Sequence, residues 1–192
     1  MRQAAVRTPI VTKSRHGSNA QGHPVFGRMT FRLCRSALEE GMAKTFYIDA
    51  DACPVKEEVY RVARRLNWPV FVVSNSWIRI PQEALITQIV VDAGPDVADD
   101  WIAERAGAGD VVITNDYPLA DRCLKSRAEC IRPNGTVLDE NTIGSALAGR
   151  MVGEHLRSMG VETSGPPPFS NADRSKFLQT LDAAANRAAR KA

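Results

Sequence analysis

Through the first 41 residues, apolar and polar positions follow neither a 3.6-residue nor a two-residue period, and Gly, Ser, Pro, Asn and Gln are scattered from Thr8 to Gly27. That is the pattern of a disordered segment with no apolar face to bury. From Thr45 the pattern changes. Thr45-Phe-Tyr-Ile48 is a short β-rich run closed by Asp49, and Pro54 then opens a helix in which Val55, Val59, Val62, Ala63 and Leu66 recur at helical spacing. Val70 to Val73 are four consecutive apolar residues, as suits a strand covered on both faces. Irregular residues from Asn75 to Pro81 lead to a strand over Gln88–Val91, closed by Asp92. Pro95 opens a helix through about Ala106, and Asp110 precedes a strand over Val111–Thr114 that runs into Asn115 and Asp116. Pro118 starts a further helix, Cys130–Ile131 is a short strand, and Thr142 to about Met159 is helical. Gly165 to Pro168 form a stiff connector. Ser170 with Asp173 reads as a capping box, with Asp in place of the usual Glu, and opens a basic last helix packed by Phe177, Leu178 and Leu181.

Strand–loop–helix units repeated at this length imply right-handed crossovers and a mainly parallel sheet with helices on both sides, so the expected fold is an α/β three-layer sandwich. The expected organisation is a basic extension over residues 1–41, an α/β domain over 42–160, and the connector with its helix over 161–192. A length of 192 residues, 44% hydrophobic and 24% charged, suits one ordinary core. No apolar run approaches the roughly 18 residues of a membrane span, and no apolar leader is seen at the amino terminus, so the expected compartment is the cytosol. Cys34, Cys53, Cys123 and Cys130 form no C-x-x-C pair and are read as reduced thiols.

The formal charge of +3 averages two unlike parts. Arg2, Arg7, Lys13, Arg15, Arg28, Arg32 and Arg35 face only Glu39 and Glu40 within the extension, which leaves the rest of the chain slightly acidic. The basic total is therefore no argument that the domain itself binds nucleic acid. The extension has three readings: a tail that touches RNA or another polyanion, an organellar targeting sequence, or, as favoured here, upstream sequence ahead of a start at Met42. A protein shortened to begin at Met42 is expected to unfold like the full chain.

Three strands end in acid: Asp49 with Asp51, Asp92, and Asp116. In open parallel sheets ligands bind beyond the carboxyl ends of the strands, so these clusters point to one rim. Asp96, Asp99 and Asp100 stand at i, i+3 and i+4, on one face of the helix after Pro95. Gathered carboxylates stay ionised at neutral pH only if a cation compensates or their pKa values rise, and Mg²⁺ or Mn²⁺ is the natural oxygen-seeking partner. The domain's histidine, His155, lies on a late helix, so metal-activated water is favoured over a histidine base. Each acid also has a plainer reading: Asp96 as a helix cap, Asp92 as a turn cap, Asp121 as a solvated charge. Cys53 lacks the histidine partner that a thiol nucleophile needs. Ser74, Asn75 and Ser76 after one strand, and Thr114 and Asn115 after another, are candidates to hydrogen-bond substrate or to satisfy turns. Trp77 is placed to stack on a base and Arg79 to meet a phosphate, against the alternatives of core packing and surface charge.

At Tyr47-Ile-Asp-Ala-Asp-Ala-Cys-Pro54, Val73-Ser-Asn-Ser76, Val91-Asp-Ala-Gly-Pro-Asp-Val-Ala-Asp-Asp100, Ile113-Thr-Asn-Asp-Tyr-Pro-Leu119 and Gly165-Pro-Pro-Pro-Phe169, the chain resembles the YaiI/YqxD family of uncharacterised bacterial proteins. The resemblance runs from Met42 to about Asp182. More distantly the chain is similar to PIN and NYN nuclease domains, with an Asp closing the first strand, an acid near a central helix start, and a strand ending in T-x-D. Asp49, Asp99 or Asp100, and Thr114-Asn-Asp116 fill those places. That resemblance implies a PIN-like fold, Mg²⁺ or Mn²⁺ held by Asp49, Asp99, Asp100 and Asp116, and RNA as substrate. Ile48-Asp-Ala-Asp51, with Asn115-Asp116 and Asp121, also resembles haloacid-dehalogenase-like phosphatases, which would make Asp49 the nucleophile and Asp51 the general acid. Against this, no lysine stands between Lys56 and Lys125. The third alternative is a non-catalytic module that binds RNA or protein.

Overall fold

The structure is a computed structural model that describes residues 44–50, 53–145, 149 and 169–191. The expectations for residues 1–41, Asp51, His155, the helix beyond 145 and the connector at Gly165–Pro168 lie outside the described residues.

In chain order the elements are β1 (Phe46–Asp49), α1 (Lys56–Leu66), β2 (Val70–Ser74), β3 (Ile86–Val90), α2 (Val97–Ala103), β4 (Val111–Ile113), α3 (Tyr117–Lys125), β5 (Glu129–Ile131), β6 (Val137–Leu138), a helical stretch α4 (140–145), and α5 (Asn171–Lys191). The strands form one sheet in the order β3-β2-β1-β4-β5-β6. Every neighbouring pair is parallel except β5 and β6. The sheet grows outward in one direction from β1 to β3 and in the other from β4 onward. The two halves therefore meet at β1 and β4, the topological switch point at which open α/β sheets leave a crevice.

Side chains alternate across the strands and so feed two different layers. Phe46, Ile48, Val70, Val72, Val111 and Ile113 pack with Val55 at the N-cap of α1, with Val59 of α1, and with Phe177, Leu181, Ala184, Ala185 and Ala188 of α5. On the other face Tyr47 stacks on Phe71 at 5.7 Å between ring centroids, and Trp101 of α2 meets Phe71 edge-on at 5.8 Å. This arrangement is the expected α/β sandwich with a mainly parallel sheet. α1 buries the predicted stripe Val55, Val59, Val62 and Ala63. The capping box of α5 forms as read: Ser170 N donates to Asp173 Oδ2 at 2.9 Å, and Asp173 N donates to Ser170 Oγ at 3.2 Å.

Two buried acids fasten α5 to the rest. Glu58, 4% exposed, accepts from Arg174 at 2.7 Å, and Glu129, 7% exposed, accepts from Arg187 at 3.0 Å. At the far end of the sheet Asp110 accepts from Thr45 N and Gly107 N, both at 2.9 Å, while its burial still pushes the carboxyl up to about 6.

The connection between β2 and β3 is irregular, as read from Asn75 to Pro81. Three details depart from the sequence reading. The third strand begins two residues earlier than Gln88, because pairing Ile86 with Val70 extends the ladder to a position whose pattern alone is not strand-like. α2 ends at Ala103, short of Ala106. β6 is two residues long, too short to show a period, and exists by pairing with β5. Among the described residues no helix is long and apolar enough to cross a membrane.

Candidate functional site

The site is built on the parallel register between β1 and β4. Ile48 pairs with Ile113, so the next residues along, Asp49 and Thr114, come level at the carboxyl ends of both strands. Thr114, 1% exposed, donates its hydroxyl to Asp49 Oδ2 at 2.8 Å. The same oxygen accepts from Asp116 N at 2.9 Å, so one buried hydroxyl spends its donor on the first acid and an acceptor site on the backbone of the second. Asp116 stands at the N-cap of α3 in extended backbone, and its Oδ2 accepts from Leu119 N at 2.9 Å. Pro118 occupies the first turn, where its missing N–H costs nothing. Both carboxylates are thereby held in fixed orientation at the switch point.

α2 supplies the third acid. It lies over the Tyr47 and Phe71 face of the sheet, with Asp99 in its first turn. The Asp99 carboxyl is pushed up to about 6, first by burial and then by the negative charges of Asp49, Asp116 and Asp96, with Arg122 opposing them. Asp99 thus lies within electrostatic reach of Asp49 and Asp116. Asp100 is exposed and accepts from Arg122 of α3 at 2.7 Å. Of the two acids left open by the sequence, Asp99 feels the charges of Asp49 and Asp116, while Asp100 bridges α2 to α3.

The other candidates are placed as follows. Asp96 occupies the N-cap of α2 in the left-handed region (φ 61°), but its side chain makes no cap bond. Asp92 is exposed beyond the edge strand β3, which β2 separates from β1. Ser74 is fully buried; its hydroxyl donates to Ser76 O at 2.7 Å and accepts from Gln88 Nε2 at 3.2 Å, so it holds the turn after β2. Asn75, Ser76 and Arg79 are exposed on that turn and the loop beyond it, and Asn115 is half-buried between Thr114 and Asp116. Cys53 is buried, which pushes its thiol up to about 11 and removes it as a nucleophile at neutral pH. One feature escaped the sequence reading, the hydroxyl bridge of Thr114, for which T-x-D was the one available signal. Lys56 donates its ammonium to Ala50 O at 3.3 Å and sets a positive charge beside the loop after Asp49.

Among the described residues no group of three or more Asp, Glu, His or Cys side chains is placed to hold a metal ion. Mg²⁺ is usually bound by one or two carboxylates, keeping several waters and taking its remaining ligands from substrate phosphates. An open rim of oriented carboxylates has the donor chemistry for that kind of binding.

Fold and rim together define an α/β protein with an acidic switch-point crevice. The sequence profile of the family described as "Uncharacterized BCR, YaiI/YqxD family" matches residues 47–187, and the chain belongs to that family. A UPF0178 protein of Caulobacter sp. (strain K31) is 67% identical over 144 residues, 75% of this chain and 95% of the relative. One from Caulobacter vibrioides is 66% identical over 141 residues, 73% of this chain and 92% of the relative. A more divergent one from Gluconobacter oxydans is 51% identical over 153 residues, covering 79% and 87%. No solved structure matches the chain.

Proposed function

We propose that this protein is a divalent-metal-dependent phosphodiester hydrolase that acts on RNA, with a PIN-like use of its acidic rim. The observation that carries the proposal is the trio at the β1/β4 switch point: Asp49 and Asp116 tied through Thr114, with Asp99 close enough for their charges to raise its carboxyl to about 6. Such a cluster is electrostatically unfavourable by itself and becomes favourable when a cation is shared. Asp49 and Asp116 would hold Mg²⁺ or Mn²⁺, with Asp99 drawn toward the ion on binding and Asp100 as a reserve ligand that would first have to leave Arg122. A divalent ion bound there would activate water and neutralise charge on the leaving oxygen.

The protein's own groups perform the rest. Thr114 and the α3 N-terminus fix the two acids, Asp49 through the bond of its Oδ2 with the Thr114 hydroxyl and Asp116 through the bond of its Oδ2 with Leu119 N. Lys56 and Arg122 offset the repulsion between the acidic rim and a phosphate backbone. The narrowing to RNA rests on the resemblance to PIN and NYN domains.

The deciding experiment incubates the protein with labelled RNA, labelled DNA and a chromogenic phosphomonoester, with Mn²⁺ or with chelator, beside Asp116→Asn. RNA cleavage that needs both metal and Asp116 is the expected result. Monoester turnover with a trapped phospho-Asp49 would replace the proposal by the phosphatase reading, and binding without turnover would replace it by a non-catalytic module.

A further inference from the structure

Three tryptophans are described, and two are used by the core. Trp68 packs against the main cluster and Trp101 meets Tyr47 and Phe71, whereas Trp77 is 74% exposed. Trp77 begins the loop that leaves the carboxyl end of β2, the strand beside β1, and register pairs Asp49 with Val73 just before that end. The loop that carries the indole thus leaves β2 at the rim of the acids, and the indole lies along the edge strand β3, in a groove shared with Ile86, Thr87 and Gln88. Its anchorage is firm: Ser76 O accepts from both Ser74 Oγ at 2.7 Å and Gln88 Nε2 at 3.2 Å. Beyond it the chain alternates. Ile78 and Ile80 pack against the core while Trp77 and Arg79 are exposed, the period-two pattern of an extended segment that sets positions i and i+2 on one side. Beside the indole, between the loop and β3, lies an open groove of about 260 Å³ whose lining includes Trp77, Ile80, Glu83, Ile86, Thr87 and Gln88, with Glu83 paired to Arg64.

We propose that Trp77 and Arg79 form a holding strip for single-stranded RNA, the indole stacking one unpaired base and the guanidinium meeting a neighbouring phosphate. The strip deepens the hydrolase reading, because it rests on that reading for the direction in which the strand runs, toward Asp49 and Asp116. The physical reasons are the pairing of an aromatic face with a cation on one exposed segment and the lack of any core role for the indole. Stacking needs a base whose face is open, which selects single strands over duplex.

The test measures binding of the full-length protein to labelled oligouridylate and to an abasic oligomer of equal charge, in chelator, so that no hydrolysis is read. Aromatic stacking is worth about 1–3 kcal/mol per base, so Trp77→Leu should weaken oligouridylate binding at least about fivefold. Trp77→Phe should bind within about twofold of the unaltered protein, and the abasic oligomer should not distinguish any of the three. Arg79→Gln should lower the slope of log affinity against log salt by about 0.7, the value of one single-strand phosphate contact. Equal oligouridylate binding by Trp77→Leu, equal losses on the abasic oligomer, or no binding by the unaltered protein would overturn the proposal. The two readings fail separately. This binding pattern without RNA cleavage in Mn²⁺ would remove only the hydrolase, and RNA cleavage with an unchanged KM in Trp77→Leu would remove only the strip.

Discussion

Asp99→Asn is the substitution through which the electrostatics of the rim can be measured directly. The carboxyl of Asp99 titrates near 6 in the folded protein instead of its ordinary 3.8, through burial and the charges of Asp49, Asp116 and Asp96. The sign follows from the raised value. Protonated Asp99 favours the fold, that stabilisation is complete below about pH 3.8, and it is lost as pH rises through about 6. At about 1.36 kcal/mol per pKa unit the shift would amount to roughly 3 kcal/mol, but Asp99 is only half-buried, and solvent screening reduces this to about 1 kcal/mol. Loss of a first-turn acid from the α2 dipole opposes the gain by up to about 0.5 kcal/mol. Asp99→Asn should therefore be more stable than the unaltered protein by about 0.5–1 kcal/mol at pH 7, and the difference should vanish near pH 4. With a urea dependence of about 2 kcal/mol/M, the midpoint moves by roughly 0.3–0.5 M, which is measurable in denaturation series from pH 4 to 8. Asp110 also titrates near 6, but it is present in both proteins and cancels in the difference. Millimolar Mg²⁺ should narrow or reverse the gap, because only the unaltered protein keeps all three carboxylates for the ion. A less stable Asp99→Asn at pH 7 without metal, or a difference independent of pH, would refute the reasoning.

Asp116→Asn should retain the α3 cap and unfold like the unaltered protein, whereas Asp116→Ala loses the bond to Leu119 N and about 1 kcal/mol; equal losses in thermal melts would mean that the charge, not the cap, matters to the fold. Gly135→Ala should cost roughly 2 kcal/mol or more, because φ is +76° and the added Cβ would stand 2.8 Å from Phe177 N, and an unchanged denaturation midpoint would contradict that crowding. Arg174→Ala should cost about 2–3 kcal/mol by leaving Glu58 buried and unpaired, with most of the loss recovered in the double variant Arg174→Leu with Glu58→Leu; no recovery would mean that the pair itself stabilises the fold.

The elements legible in the sequence are those that a single local pattern determines. Four consecutive apolar residues mark β2, a helical stripe marks α1, prolines mark the helix openings after Asp49, Asp92 and Asp116, and Ser170 with Asp173 marks the start of α5. The acids at the ends of β1 and β4 were legible for the same reason, since a strand that closes in Asp needs no knowledge of its neighbours. What the sequence could not supply is whatever depends on which elements become neighbours. The order β3-β2-β1-β4-β5-β6 puts Asp49 and Asp116 at one switch point and leaves Asp92 at the edge. The packing of α2 over Tyr47 and Phe71 brings Asp99 within electrostatic reach of the acids and hands Asp100 to Arg122. The Glu58–Arg174 pair joins residues 116 positions apart, and the two-residue β6 exists through pairing with β5. Periodicity records which face of an element is buried, whereas the partner on that face is set by the closure of the whole sheet, and the chemistry at the rim follows from that closure.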